Sequence, residues 1–198
     1  MNYLAHAYLS FGKPEILVGN MISDFVKGRS KFNYAEEIQN GITLHRSIDH
    51  FTDCHEVTAE AKKFFQPAYR LYSGAFIDIV YDHFLSKDET IFSDQNPLSD
   101  FAAETYFILS TFEGILPENF KLILPFMKNY NWLYNYQYNE GIRNSFGGLV
   151  RRAKYLSDSN TAFEIFKRHY LELKQCYQLF FPDLKNFAFQ NLQLFRNK

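Results

Sequence analysis

Four-residue spacings bring together the groups in this chain that could do chemistry: Asn20 with Asp24, His45 with Asp49, and Asp78 with Asp82, the last followed directly by His83. On a helix, residues four apart lie one above the other, so each pair offers two nitrogen or oxygen donors to a common point. The surrounding strings GNMISDFV, GITLHRSIDHF and FIDIVYDHFL are largely apolar, which predicts burial. A buried carboxylate is costly unless it is paired or binds a cation. The pattern therefore asks for a divalent metal. Imidazole with carboxylate suits a transition ion. Such an ion activates water and neutralises phosphoryl oxygens while arginine holds the others, so phosphoester hydrolysis is the chemistry expected.

Each group has a second reading. His45, Asp49 and Asp53 form an i, i+4, i+8 stripe in HRSIDHFTD, either ligands or an N–H to carboxylate pair on a solvated helix face. Asp78 and Asp82 have no cation nearby in sequence, which strengthens the ligand reading. Asp82 and His83 point about 100° apart on a helix, so one can bind while the other orients it or moves a proton. Removing Asp82 is expected to relieve a crowded buried charge in the metal-free protein. Asp24 lies close to Lys27, Arg29 and Lys31, where a surface ion pair competes with a ligand role. His6 in NYLAHAYL is either a ligand or a hydrogen-bonded core histidine. The chain lacks GxSxG, P-loop, GxGxxG and HExxH strings. No Glu precedes a His by three residues, which argues against a ferritin-like di-iron bundle.

Periodicity is helical almost throughout. It predicts helices near 2–10, 14–27, 34–53, 56–66, 69–86, 98–113, 118–127, 131–138, 140–156, 160–181 and 184–195, with Gly28 ending the second. The fold expected is an all-α, single-domain helical bundle over 1–198, since no linker or repeat divides the chain. The formal net charge of −1 excludes a globally basic nucleic-acid binder. Two cysteines without CxxC spacing point to a reducing compartment. No apolar run of membrane length and no leader-like N-terminus is present, so a cytoplasmic protein without membrane association is expected.

The strings MNYLAHAYLS, GNMISDFVKG, GITLHRSIDHFTDCH, FIDIVYDHFLS and, more weakly, GGLVRRAKYL resemble those of the acyl carrier protein phosphodiesterases, also called acyl carrier protein hydrolases, over essentially the whole chain. The resemblance implies manganese-assisted removal of 4'-phosphopantetheine from holo acyl carrier protein and an HD-domain-like helical fold. In this chain, however, no histidine is followed by aspartate; Asp49-His50 and Asp82-His83 stand in reverse order. The expected metal set is Asp24, His45, Asp49, Asp82 and His6, around one or two ions, Mn2+ first and Mg2+ or Fe2+ as alternatives. Asp78 or His83 would handle a proton and Arg46 would clamp phosphate. An acidic carrier protein needs a positive landing surface, for which Arg143, Arg151, Arg152 and Lys154 are the candidates. Two other readings remain: a hydrolase of nucleotides or other small phosphoesters, and a non-enzymatic helical binding module in which the polar pairs only cross-link helices.

Overall fold

The computed structural model describes residues 1–196. Among these there are eleven α-helices: α1 (Tyr3–Tyr8), α2 (Pro14–Ile22), α3 (Glu36–Cys54), α4 (Glu56–Tyr69), α5 (Ser73–Ser86), α6 (Leu98–Thr111), α7 (Glu118–Asn129), α8 (Trp132–Asn135), α9 (Asn139–Arg152), α10 (Asn160–Arg168) and α11 (Tyr170–Arg196). No strand is found among the described residues, only an isolated bridge between Ser93 and Asn96. The all-α expectation holds.

α5 is the central helix. Phe76, Ile77, Ile79, Val80, Tyr81, Phe84 and Leu85 are all buried, together with the polar Asp82 and His83, so it is enclosed on nearly every face and mostly apolar, as a central helix must be. Around it pack α1, α4, α9 and α11. Phe76 stacks on Phe65 at 5.6 Å and meets Phe146 edge-on at 5.1 Å; Tyr81 stacks on Phe180 at 4.9 Å. Each such buried aromatic contributes roughly 1.5–3 kcal/mol through the surface it withdraws from water.

The contact that positions the site is the crossing of α2 and α3. Gly19 and Gly41 face each other there: a Cβ on Gly19 would overlap the Ile38 carbonyl, and one on Gly41 the Ile16 carbonyl. Only paired glycines allow the backbones to come this close, and the approach delivers the Asn20 carbonyl to the His45 ring.

Several boundaries differ from the sequence expectation: α5 starts at Ser73, not near 69, α8 ends at Asn135, not near 138, and α9 ends at Arg152, not near 156; two further differences have a visible cause. α2 stops at Ile22, not near residue 27, and the chain tightens into a 3-10 turn over Ser23–Phe25 before Val26 becomes extended. The turn is held by Ser23 Oγ donating to Ile42 O (3.3 Å) and by Arg46 donating to Val26 O (2.8 Å). Gly28, with φ of 56°, opens the next short 3-10 segment and does not end α2. At the other end, α11 runs through Pro182 and the break falls at His169. A mid-helix proline costs about 3 kcal/mol. Buried Phe180, Phe181 and Leu184 hold that stretch in place, whereas His169 leaves the helix to stack on Phe64 at 4.5 Å.

Candidate metal centre

Two buried imidazoles, His6 of α1 and His45 of α3, stack face to face with centroids 3.8 Å apart. Asn20 of α2 sets both rings. Its amide nitrogen donates to His6 O (2.8 Å) and Ser10 Oγ (3.2 Å), so its oxygen must face His6 Nδ1, at 2.9 Å. The Asn20 backbone carbonyl lies 2.7 Å from His45 Nδ1. Both Nδ1 partners are acceptors, so both Nδ1 atoms carry hydrogen and donate. In each neutral ring the lone pair is then on Nε2.

The two Nε2 atoms converge on Asp49. His45 Nε2 is 3.1 Å from Asp49 Oδ2 and 3.2 Å from Asp24 Oδ1; His6 Nε2 is 3.2 Å from Asp49 Oδ1. The ligand atoms of His6, His45 and Asp49 all lie within 4.8 Å of one another. His6 Nε2 has no hydrogen-bond partner despite its burial. A bare lone pair thus faces a carboxylate oxygen that the Met1 amino group contacts from another side at 3.2 Å, and the lone pair itself has no donor. This donor set, two imidazoles and a carboxylate, fits a divalent transition ion. Asn20 is the outer partner that fixes the rings for it.

Electrostatics divide the two imidazoles. Burial, then the neighbouring His45 charge, pushes His6 down to about 4, so it is neutral. Burial also opposes charge on His45, but its contacts with Asp24 and Asp49 outweigh burial and raise it to about 9. For Asp49, burial is overcome chiefly by the His45 contact, with the Met1 amine adding to it, and its carboxyl is held far below the usual range. Asp24 is held low chiefly by the His45 hydrogen bond. It is exposed and lines a cavity of about 320 Å³, whose walls also include Tyr3, His6, Asn20, His45 and Arg152.

The remaining predicted groups lie elsewhere. Asp82 is fully buried on α5 and caps α1: Leu4 N–H donates to its Oδ2 (2.7 Å) and Ala5 N–H to its Oδ1 (3.2 Å). With Asn2 accepting from Tyr3 N–H, the free donors that open a helix are satisfied. Burial, opposed by these bonds, raises the Asp82 carboxyl to about 7. Asp78 faces the Met1 amino group at 3.1 Å, which also contacts Asp49 at 3.2 Å. Burial works against charge on that amine, but Asp78 and Asp49 outweigh it and hold it at about 10. Both His83 nitrogens are occupied, Nδ1 at 2.7 Å from Tyr136 O and Nε2 at 3.2 Å from the Tyr170 hydroxyl. The structure therefore brings Asp24, His45, Asp49 and His6 together and leaves Asp82, Asp78 and His83 outside the group. Asp53 pairs with Lys62 at 2.8 Å.

Arg46 spends its guanidinium on Val26 O and does not line the cavity. The basic segment also divides. Arg143 stacks on Phe163 at 4.1 Å, and the Arg151 guanidinium folds back over Gly147 and Gly148 of its own helix. Lys154 lies over the Tyr155 ring at 5.3 Å. Arg152 alone of these reaches the cavity wall. The ring-setting role of Asn20 and the cavity position of Arg152 were not predicted. Asn20 at least stood in the first polar pair, but Arg152 carries no local signal of its place.

The sequence profile described as acyl carrier protein phosphodiesterase matches residues 1–184. A protein of Photorhabdus laumondii bearing that name is 31% identical over 185 residues, 92% of each chain. One of Klebsiella pneumoniae is 31% identical over 199 aligned positions, 98% of this chain and all of the relative. One of Yersinia enterocolitica is 29% identical, covering 95% of this chain and 97% of its own. No solved structure matches the chain. The chain belongs to the acyl carrier protein phosphodiesterase family.

Proposed function

We propose that this member of the family hydrolyses the phosphodiester joining 4'-phosphopantetheine to the serine of holo acyl carrier protein, assisted by a divalent ion held by His6, His45 and Asp49 with Asp24 on the open side. The observation that carries the reading is the bare His6 Nε2, buried and facing the Asp49 carboxylate. The ion, when bound, supplies Lewis acidity toward the phosphoryl group and water. Mn2+ is the first choice, and Mg2+ or Fe2+ the alternatives. The chain's own work is orientation and proton handling. Asn20 keeps both imidazoles in the tautomer that presents Nε2. Asp24, an exposed carboxylate open to the cavity, takes the proton of the attacking water once His45 Nε2 is given to the ion. The P–O bond to the serine breaks, the serine oxygen is protonated from the open cavity, and the phosphate leaves as the monoester.

On this reading the centre is a divergent HD-type one, with donors from α1, α3 and the turn after α2 and no His-Asp dipeptide. An acidic carrier is met by the exposed α9 end around Arg151 and Lys154, and such a substrate places the enzyme in the cytoplasm. The test is to incubate chelator-treated protein with holo acyl carrier protein, add each ion separately, and weigh the carrier by mass spectrometry. Loss of the phosphopantetheine mass only after metal addition is expected. Full turnover without metal would remove the centre from the chemistry; turnover of small phosphoesters with the carrier untouched would transfer the reading to the small-substrate class.

A further inference from the structure

We propose that Arg152 is the phosphate seat of this cavity, its guanidinium taking two non-bridging oxygens of a phosphodiester or phosphomonoester anion beside the His6/His45/Asp49 group. The inference rests on the hydrolase reading for its substrate class, but its test does not depend on the carrier protein being the substrate. Three observations support it. Arg152 lines the same cavity as His6, His45 and Asp24, although it comes from the far end of α9. Among the described residues it is the one guanidinium on that wall. It also makes no hydrogen bond or ion pair with any described group, whereas Arg46 donates to Val26 O and Arg143 to Asn160 Oδ1.

A cation in the last turn of a helix is ordinary, since it offsets the helix dipole. Arg151 meets that description with its guanidinium folded over Gly147 and Gly148; the adjacent arginine has turned toward the cavity instead. The cavity needs it there. Asp24 on the wall and Asp49 beside the imidazoles repel an incoming anion, and a planar fork of N–H donors matches a phosphoryl oxygen pair in geometry as well as charge. Tyr3 stands on the same wall, close enough for the Arg152 charge to act on its phenol.

Inorganic phosphate is the probe. Its binding to the Mn2+-loaded full chain is followed by 31P line broadening, with Mn2+ affinity measured separately by electron paramagnetic resonance. Arg152→Gln should weaken phosphate binding about tenfold or more and leave Mn2+ affinity and helix content unchanged. Arg152→Lys, which keeps charge without the fork, should fall between. Arg46→Gln should stay within about twofold of the wild type. Equal phosphate binding by wild type and Arg152→Gln overturns the proposal, as do a larger loss in Arg46→Gln and an absence of saturable broadening in the wild type. If the Arg152 series behaves as expected while holo acyl carrier protein is not hydrolysed, the seat stands and the carrier reading fails.

Discussion

The two polar i, i+4 pairs on α3 and α5 make the instructive comparison. His45/Asp49 and Asp78/Asp82 have the same spacing, both lie in apolar helices, and both call for a cation. They are answered differently. On α3, Asp49 meets two imidazoles whose Nε2 atoms point at it, and one of those lone pairs has no donor. On α5, Asp82 meets the opening N–H groups of α1 and Asp78 meets the Met1 amine. The first pair is left facing a lone pair without a donor, although the Met1 amine also reaches Asp49; the second is satisfied within the protein. A polar pair at helical spacing is thus a candidate site where a lone pair opposite it lacks a donor.

The largest expected effect breaks the comparison directly. His45→Ala should lower Mn2+ affinity beyond the roughly 100-fold that changes to outer partners produce, with helix content retained in circular dichroism. Asp82→Ala should do the converse: it orphans two buried N–H groups and lowers stability by about 1–3 kcal/mol in denaturant melts, while Mn2+ still binds. The donors that Asp82 satisfies reverse the expectation that its removal relieves strain. Equal loss of metal binding in both variants would mean that the two pairs form one site.

A smaller effect is expected at Asn20. Asn20→Ala removes the acceptor of His6 Nδ1 but keeps the backbone acceptor of His45, so Mn2+ affinity should fall about 10–100-fold. A loss no larger than that of a surface control would show that the rings are set by packing alone.

The pH response sharpens the comparison most finely. His45 is raised from 6.5 to about 9, burial opposing and the Asp24 and Asp49 contacts prevailing. Its contribution to the chelated protein is complete below pH 6.5 and is lost as pH rises through 9. Mn2+ needs the same Nε2 unprotonated, so metal affinity rises over that window. Asp82, raised by burial to about 7 from 3.8, loses its contribution between those values, and His6, lowered to about 4, loses its own as pH falls below 6.5. Between pH 7 and 9, therefore, thermal melts of chelated protein should decline while the stabilisation added by Mn2+ grows. Parallel curves would exclude His45 as a ligand.

Much of this was legible in the residues. Apolar periodicity marked the helices, because burial of one face every 3.6 residues is a local constraint. The i, i+4 pair of α3 announced two donors on one face for the same reason. Other features were not local. The end of α2 at Ile22 depends on Arg46 and Ile42 supplying partners across the α2/α3 crossing. The helix through Pro182 depends on how deeply Phe180, Phe181 and Leu184 are buried.

The sequence by itself determined the class of fold, the donor chemistry and the basic character of the α9 end, since residue type and spacing along a helix settle which groups share a face. Only the tertiary structure decided which polar pair faces a lone pair without a donor, that His6 stacks on His45, and which of two neighbouring arginines faces the cavity. Those outcomes turn on contacts between segments far apart in the chain: Gly19 against Gly41, Asp82 under the start of α1, and the end of α9 against the cavity of α1 to α3. Whether a polar group is satisfied depends on what packing places opposite it, and no spacing within one helix contains that information.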